Sequence, residues 1–404
     1  MKNGSNKRKT VGVIFGGRSV EHEISVITGL QLIRALDVER YDVIPIYIAP
    51  NGHWYVGEQL LERSFYKGLP GCLNELTEVT LLPVPDSEGV TVIGSSAETP
   101  VGRFSRAEQI PIDVYFLAFH GEFGEDGCVQ GLMELADAAY TGGGVLSSSV
   151  AMDKYICKSV LHDHGIPVLP GVVVRKEDAL KDFDSALKSV FEGGELKDFP
   201  VFVKPCHLGS SIGIAKAENE VELRSALALV FRHDNSAIVE PFLSEMFEIN
   251  VSILEEEEPV ASVVEIPVSA SGVLSYEDKY LREGASKKTG EESGGMANLT
   301  RDIDPQHLDP AIKERVIGYA KKAVRVLECS GIVRFDFMYD TKTDNIYFNE
   351  LNPMPGSFAF YLWVKSHPPL LYTEVLSRAI ERAMERKSIK SSLIKELEFR
   401  ALAQ

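Results

Sequence analysis

The chain has 404 residues, 44% of them hydrophobic and 25% charged, with a formal net charge of -17. That length exceeds what one hydrophobic core usually serves, so two or three domains are expected, and the composition excludes disordered and fibrous classes. The acidic balance, with no long basic run, argues against nucleic acid as a partner, although a local cluster of Lys and Arg can still hold a small anion.

Met1 to Thr10 is polar and basic and lacks the apolar stretch of a signal peptide. Val11 to Phe15 then reads as a buried strand ended by Gly16-Gly17, and Ile24, Ile27, Leu30, Ile33 and Leu36 recur at helical spacing. Further strands at Val43 to Ile48 and Val114 to Phe119 make the opening region a βαβ-type α/β domain, with residues 52 to 110 as a turn-rich elaboration.

A second α/β unit begins near Ala151, with a helix through Lys154 and Leu161. Val201-Phe202-Val203-Lys204-Pro205 reads as a buried strand, Gly209-Ser210-Ser211-Ile212-Gly213 as a tight loop, and Ala237 to Glu240 as another strand. The last unit has strands at Ile249 to Leu254, Val260 to Pro267, Val333 to Tyr339 and Ile346 to Glu350. Its helices carry Ile312, Val316, Tyr319, Ala323 and Leu327 on one face and close the chain around Leu371 to Met384. Gly284 to Asn298 has the glycine, serine and charge content of a mobile lid. The expected division is therefore 1–150, 151–242 and 243–404, with a mobile loop near 281–300 in the third part.

No apolar run approaches the roughly 18 residues that span a bilayer, so no membrane contact and a cytoplasmic location are expected. The five cysteines are scattered without a C-x-x-C pair and read as small apolar residues of a reducing compartment.

Residues two apart on a strand share a face, so Arg334 pairs with Asp336 and Glu350 with Asn352. If the two strands form a hairpin with those faces aligned, Asp336, Glu350 and Asn352 make an all-oxygen cluster suited to Mg2+ or Mn2+ beside nucleotide phosphates, with Arg334 adding positive charge. A solvated hairpin face is the plainer alternative for any one of them. Lys154 at a helix start and Lys204 beside the 209–213 loop could meet phosphate, glycine freeing backbone N–H groups to cradle it. The order of a P-loop and that of a dinucleotide fingerprint are both absent, so a different nucleotide fold is required.

Phe119-His120-Gly121, Gly124-Glu125-Asp126-Gly127, Tyr140-Thr141-Gly142-Gly143-Gly144, Met152-Asp153-Lys154, Val203-Lys204-Pro205, Gly209-Ser210-Ser211, Tyr276-Glu277-Asp278-Lys279-Tyr280, Arg334-Phe335-Asp336 and Asn349 to Gly356 occur in one order. Together, over roughly residues 10 to 385, they resemble the D-alanine-D-alanine ligase family. The resemblance implies a three-domain ATP-grasp fold of the α/β class, closing over ATP. It implies an acyl-phosphate reaction that supplies a dipeptide for peptidoglycan, with D-alanine and ATP as small-molecule substrates and Mg2+ or Mn2+ as cofactor; a homodimer is among the assemblies it allows.

By motif position the resemblance places Lys154, Lys204 and Ser211 on the phosphates, Glu240 and the Leu243 backbone on adenine, and Glu248 on ribose. Asp336, Glu350 and Asn352 would hold the metal, and Arg334 and the Gly356 N–H the oxyanion. Glu21 would hold the first substrate's ammonium with Ser210 and Tyr280 as hydrogen-bonding partners, although Glu21 could equally be an acidic residue favouring a helix start. His120 would lie close to the first substrate, leaving a general-base role open, and Lys279 would face the second substrate's carboxylate. The sequence departs from the family between Pro353 and Trp363. The serine that grips that carboxylate falls at Tyr361, amid Phe358, Phe360 and Trp363, so the tyrosine hydroxyl makes the contact, the contact is lost, or these aromatics only pack a core. D-serine, D-lactate or a metabolite amine therefore stays open as second substrate, and a fold that binds without turnover is the alternative of another class.

Overall fold

In the computed structural model, which describes residues 8–85, 87–93, 108–209, 213–268 and 301–393, the strands form three sheets. The first contains β1 (Lys9–Gly16), β2 (Tyr41–Ile48), β3 (Trp54–Val56), β4 (Thr77–Thr80), β5 (Gly89–Val92), β6 (Gln109–Pro111) and β7 (Val114–Leu117), ordered β6-β5-β4-β3-β2-β1-β7. The crossover through α1 (His22–Ala35) makes β1 and β2 parallel, as it must, and β7 joins parallel on the other side. The turn-rich segment from 52 onward adds β3 to β6 antiparallel to the same sheet.

Of the five apolar positions that mark α1, Leu30 and Leu36 are buried in the core, while Ile24, Ile27 and Ile33 are half-buried. The buried residues of the helix are Ser25, Val26, Thr28, Gly29, Leu30 and Leu32. Small residues win there because the helix lies directly on the sheet: a Cβ on Gly29 would sit 2.6 Å from the Phe15 ring, and Ser25 Oγ accepts the Gly16 N–H at 3.0 Å and donates to the Ala118 carbonyl at 2.7 Å. Periodicity located the helix, and close approach chose its face.

After α2 (Cys128–Leu135), α3 (Val145–Met152) and α4 (Lys154–Asp163) comes the second sheet. Its strands β8 (Val172–Arg175), β9 (Val201–Pro205), β10 (Ala215–Ala217) and β11 (Ser236–Pro241) run antiparallel in the order β10-β9-β11-β8. Val201, Val203, Ala237 and Val239 point to a core with α6 (Phe183–Glu192) and α7 (Glu220–Val230); α5 (Lys176–Lys181) precedes α6. The alternate face carries Lys204 and Glu240.

The third sheet, β14-β13-β12-β15-β16, contains β12 (Met246–Leu254), β13 (Val260–Pro267), β14 (Arg301–Ile303), β15 (Ile332–Asp340) and β16 (Asn345–Asn352). One face, with Ile249, Val251, Phe335 and Phe337, packs on α8 (Pro310–Val326), and α4 joins the same core through Cys157 and Leu161. The last described helices are α9 (Phe360–Trp363) and α10 (Tyr372–Ser391), and Trp363, Val375, Leu376 and Ile380 pack into the core of the first sheet. The closing helix thus ties the last part of the chain to the first. Cys157 and Cys206 are buried as expected, whereas Cys128 is exposed. Among the described residues no helix is long and apolar enough to cross a membrane.

Candidate active site

The hairpin β15–β16 has the register alternation predicts: Arg334 opposes Asn352 and Asp336 opposes Glu350, with a bulge immediately after Asp336. Arg334 makes a two-pronged contact with Asp336, Nε to Oδ1 and Nη2 to Oδ2, each 2.7 Å, and Asn352 Nδ2 donates to Asp336 Oδ2 at 3.1 Å. Both residues of the ion pair are buried, and although burial works against the guanidinium's charge, Asp336 holds its proton well above the usual arginine range. The plainer reading, a solvated hairpin face, is thereby set aside for Arg334 and Asp336.

Lys154 opens α4 behind Asp153, whose carboxylate caps the helix by accepting from the Tyr155 and Ile156 N–H groups. Lys154 Nζ donates to the Leu208 carbonyl at 2.6 Å and lies 3.8 Å from Glu350 Oε2, placing a cation between Leu208 and the hairpin. His207, next to Leu208, is itself anchored from two sides. Its Nδ1 lies 2.9 Å from Asp234 and its Nε2 3.3 Å from Asp153, and these two carboxylates push its pKa up to about 10, so it is cationic at neutral pH.

Lys204 donates to Asn349 Oδ1 at 2.8 Å and lies 2.8 Å from Glu240 Oε2, on the second sheet's inner face. Glu240 also takes Lys158, one turn along α4 from Lys154, so two buried ammonium groups share one carboxylate. Burial would raise the Glu240 pKa, but Lys158 and Lys204 together hold it down to about 2. Leu243 lies in the connection from β11 to β12, and Glu248 on β12 lines the cleft.

Glu21 is buried at the N-cap position of α1 but makes no side-chain capping hydrogen bond, so helix capping does not account for it. Its carboxylate lies instead against Gly121 and Gly209. A Cβ on Gly121, where φ is +80°, would come within 2.9 Å of it, and one on Gly209 within 3.4 Å. Next to it Glu125 accepts the Gly121 N–H at 2.6 Å and the Met354 N–H at 3.3 Å. Burial, then repulsion from Glu21, pushes the Glu125 pKa up to about 8, so this carboxyl carries a proton at neutral pH. His120 is buried with Nε2 2.9 Å from Thr28 Oγ1. Burial and then Arg334 push its pKa down to about 4, leaving it neutral and too weak a base to take a proton from an ammonium.

These two groups make opposite pH signatures. His120 binds its proton less tightly when folded than its ordinary value of 6.5, so it favours folding as pH rises from about 4 to 6.5; Glu125 binds its proton more tightly when folded, so stability falls as pH rises from about 4.5 to 8. Between pH 6.5 and 8 the Glu125 effect adds to that of His207, whose raised pKa also makes stability fall as pH rises, so the Glu125 part is read as the difference between parent and variant. Glu125→Gln should flatten the decline there by about 2 kcal/mol. Urea midpoints at the two pH values check this, and a variant with the parent's slope refutes it.

Of the residues singled out in the sequence, Glu21, His120, Lys154, Glu248, Arg334, Asp336, Glu350, Asn352 and Gly356 line one cleft. Lys204 reaches it through Asn349, and Glu240 stands behind Lys204. Ser210, Ser211, Lys279, Tyr280 and the loop at 281–300 lie outside the described residues. Phe358, Phe360 and Trp363 bear out the packing reading: Phe358 meets Phe116 edge-on at 5.1 Å, Phe360 stacks on Tyr372 at 4.8 Å, and Trp363 is wholly buried. Tyr361 behaves differently, binding Glu265 and Arg301 through its hydroxyl. Lys158, His207, Glu265 and Arg301 belong to the same surroundings but to none of the motifs the sequence singles out. A signal existed for two of them: Lys158 repeats Lys154 at helical spacing, and Glu265 is a lone charge inside Val263-Val264-Glu265-Ile266.

A metal fits the oxygen donors of Asp336, Glu350 and Asn352, whose positions adjoin across the hairpin. Among the described residues no group of three or more His, Cys, Asp or Glu side chains gathers for a metal, so the set depends on the Asn352 amide oxygen as its third donor.

Three sheets of a mixed α/β chain, with a cleft lined by cations and carboxylates, define an ATP-dependent carboxylate-amine ligase of the ATP-grasp class. Family models described as D-ala D-ala ligase N-terminus and C-terminus match residues 10–143 and 160–381, and the chain belongs to that family. It is 38% identical to D-alanine-D-alanine ligase A of Bradyrhizobium diazoefficiens, over 95% of this chain and 97% of the relative. Among solved structures it is similar to the D-alanine-D-alanine ligase of Coxiella burnetii (TM-score 0.75, 26% identity, covering 96% of this chain and 97% of that one). It is also similar to the VanG D-Ala:D-Ser ligase of Enterococcus faecalis (TM-score 0.73, 27% identity, 93% and 100%).

Proposed function

We propose that this chain joins two molecules of D-alanine at the expense of ATP, supplying the dipeptide for peptidoglycan in the cytoplasm. A carboxylate oxygen of the first D-alanine attacks the γ-phosphorus of ATP and ADP leaves, giving D-alanyl phosphate. The deprotonated amino nitrogen of the second D-alanine then attacks the acyl carbon, and inorganic phosphate departs from the tetrahedral intermediate.

The observation that carries this reading is that Glu21, Lys154, Arg334, Glu350 and Gly356 face one cleft. Glu21 meets the first substrate's ammonium beside a neutral Glu125, so the site presents one negative charge rather than two. Lys154, Lys204 and Ser211 take the phosphates, Glu240 and the Leu243 backbone the adenine, and Glu248 the ribose. Arg334 and the Gly356 N–H stand ready where the oxyanion develops. Ser210 and Tyr280 complete the Glu21 pocket. Mg2+ or Mn2+, held by Asp336, Glu350 and Asn352, would neutralise phosphate charge as the phosphoryl group transfers.

Phosphate release and product mass, measured with ATP and D-alanine alone and then with D-serine or D-lactate added, test the assignment. D-Alanyl-D-alanine is the expected product, and no phosphate release with D-alanine as sole amino acid overturns it. Sedimentation of the active protein decides whether it works as a homodimer.

A further inference from the structure

The polar face of the third sheet continues past the phosphate-handling residues to the sheet's far edge. Directly opposed positions run Ile303, Glu265, Asn250, Asp336, Glu350 across β14, β13, β12, β15 and β16, and Arg301, two residues from Ile303, shares that face. Arg301 Nη1 donates to both Glu265 oxygens, at 3.0 and 2.9 Å, and to the Tyr361 hydroxyl, which itself donates to Glu265 Oε1 at 2.9 Å. The guanidinium also lies 4.2 Å from the centre of the Tyr361 ring. Its side chain is only 6% exposed, yet it lines the same cleft as Glu21, Arg334 and Gly356.

We propose that Arg301, set in place by Glu265 and Tyr361, recognises the carboxylate of the second substrate and so restricts that substrate to a small α-amino acid. The proposal rests on the ligase reading above and deepens it. Three strand spacings, about 14 Å, separate β14 from β15. Arg301 and Arg334 line the same cleft from these two strands, and an amino acid bound between them would have its amine toward Arg334 and its carboxylate toward Arg301. Both arginines act electrostatically on Tyr361. Burial and Glu265 nevertheless keep the phenol protonated, so its hydroxyl stays a donor that fixes Glu265. A guanidinium held over a ring by a buried carboxylate is pre-oriented for a second, planar carboxylate, which a lysine on a flexible stem is not. Tyr361, where the family resemblance leads one to expect a serine, thus acts through Arg301 rather than on the substrate directly.

The test separates the two half-reactions. Hydroxylamine replaces the second amino acid: its nitrogen attacks D-alanyl phosphate, phosphate leaves, and D-alanyl hydroxamate reports the first half alone. Arg301→Met should raise the KM of the second D-alanine about 30- to 100-fold, the loss of a charge-assisted fork. Hydroxamate formation and the ATP KM should stay within about threefold of the parent. The parent's preference for D-alanine over D-alaninamide as second nucleophile should collapse in the variant. Should Arg301→Met not fold, Arg301→Lys carries the test, with an expected rise of about tenfold because the fork is lost and the charge kept. An unchanged second-site KM, or hydroxamate falling in step with dipeptide, overturns the role of Arg301. A parent that forms no hydroxamate from D-alanine and ATP overturns the ligase reading, and the proposal with it.

Discussion

Arg334→Ala should lower kcat by two to three orders of magnitude while leaving the ATP KM within about threefold, because an oxyanion donor contributes about 3–4 kcal/mol only once the tetrahedral charge has formed. The geometry adds a cost that turnover does not report. Arg334 is the two-pronged partner of Asp336, both are buried, and removing the guanidinium leaves a buried carboxylate with the Asn352 amide still upon it. Losing one partner of such a pair costs about 3–5 kcal/mol of stability, visible as a lower urea midpoint. Arg334→Lys separates the two effects. It keeps a positive charge beside Asp336, so the midpoint should recover most of the way, but it supplies a point charge where a planar fork stood, so kcat should stay down at least tenfold. Equal losses of ATP affinity and turnover in Arg334→Ala would contradict the oxyanion role. Full recovery of kcat in Arg334→Lys would show that charge alone, without the fork, suffices.

What was legible beforehand followed from local rules. Alternation along two strands was enough to bring Arg334, Asp336, Glu350 and Asn352 to one face, because a hairpin with a short turn leaves little freedom of register. Long-range pairing was not legible. Arg301 and Glu265 sit on neighbouring strands whose ends, Pro267 and Arg301, are far apart in sequence, and no local pattern announces that pairing. Tyr361 looked like a lost substrate contact or a core aromatic because its partners come from two other elements. The small residues that α1 buries were not legible for a related reason. Hydrophobicity marks which residues prefer burial, while the distance between helix and sheet decides which can be buried, and Gly29 against Phe15 made that choice.

Lys158 repeats Lys154 at helical spacing, but its partner is visible only in tertiary structure, and the pairing leads to a second large expected loss of stability. Lys158, Lys204 and Glu240 are respectively 3%, 5% and 1% exposed, so a single carboxylate balances two desolvated ammonium groups. Burial, only partly offset by Glu240, brings Lys158 down to about 8, so it still carries its proton at pH 7. Glu240→Ala removes the carboxylate that offsets this burial, so Lys158 must either stay charged beside Lys204 in a dry site or give up its proton, and the change should cost about 3–5 kcal/mol, lowering Tm by roughly 10 °C. Lys158→Met removes one cation, leaves a one-to-one pair between Glu240 and Lys204, and fills most of the same volume; it should cost less than about 1.5 kcal/mol. The acid limb gives an independent reading. The folded pKa of Glu240 is depressed to about 2, so its contribution is complete above about pH 4.5 and is lost as pH falls toward 2, and Glu240→Gln should remove that part of the acid sensitivity. Comparable losses in Glu240→Ala and Lys158→Met would mean that packing around α4, rather than the two-to-one charge count, holds this site together.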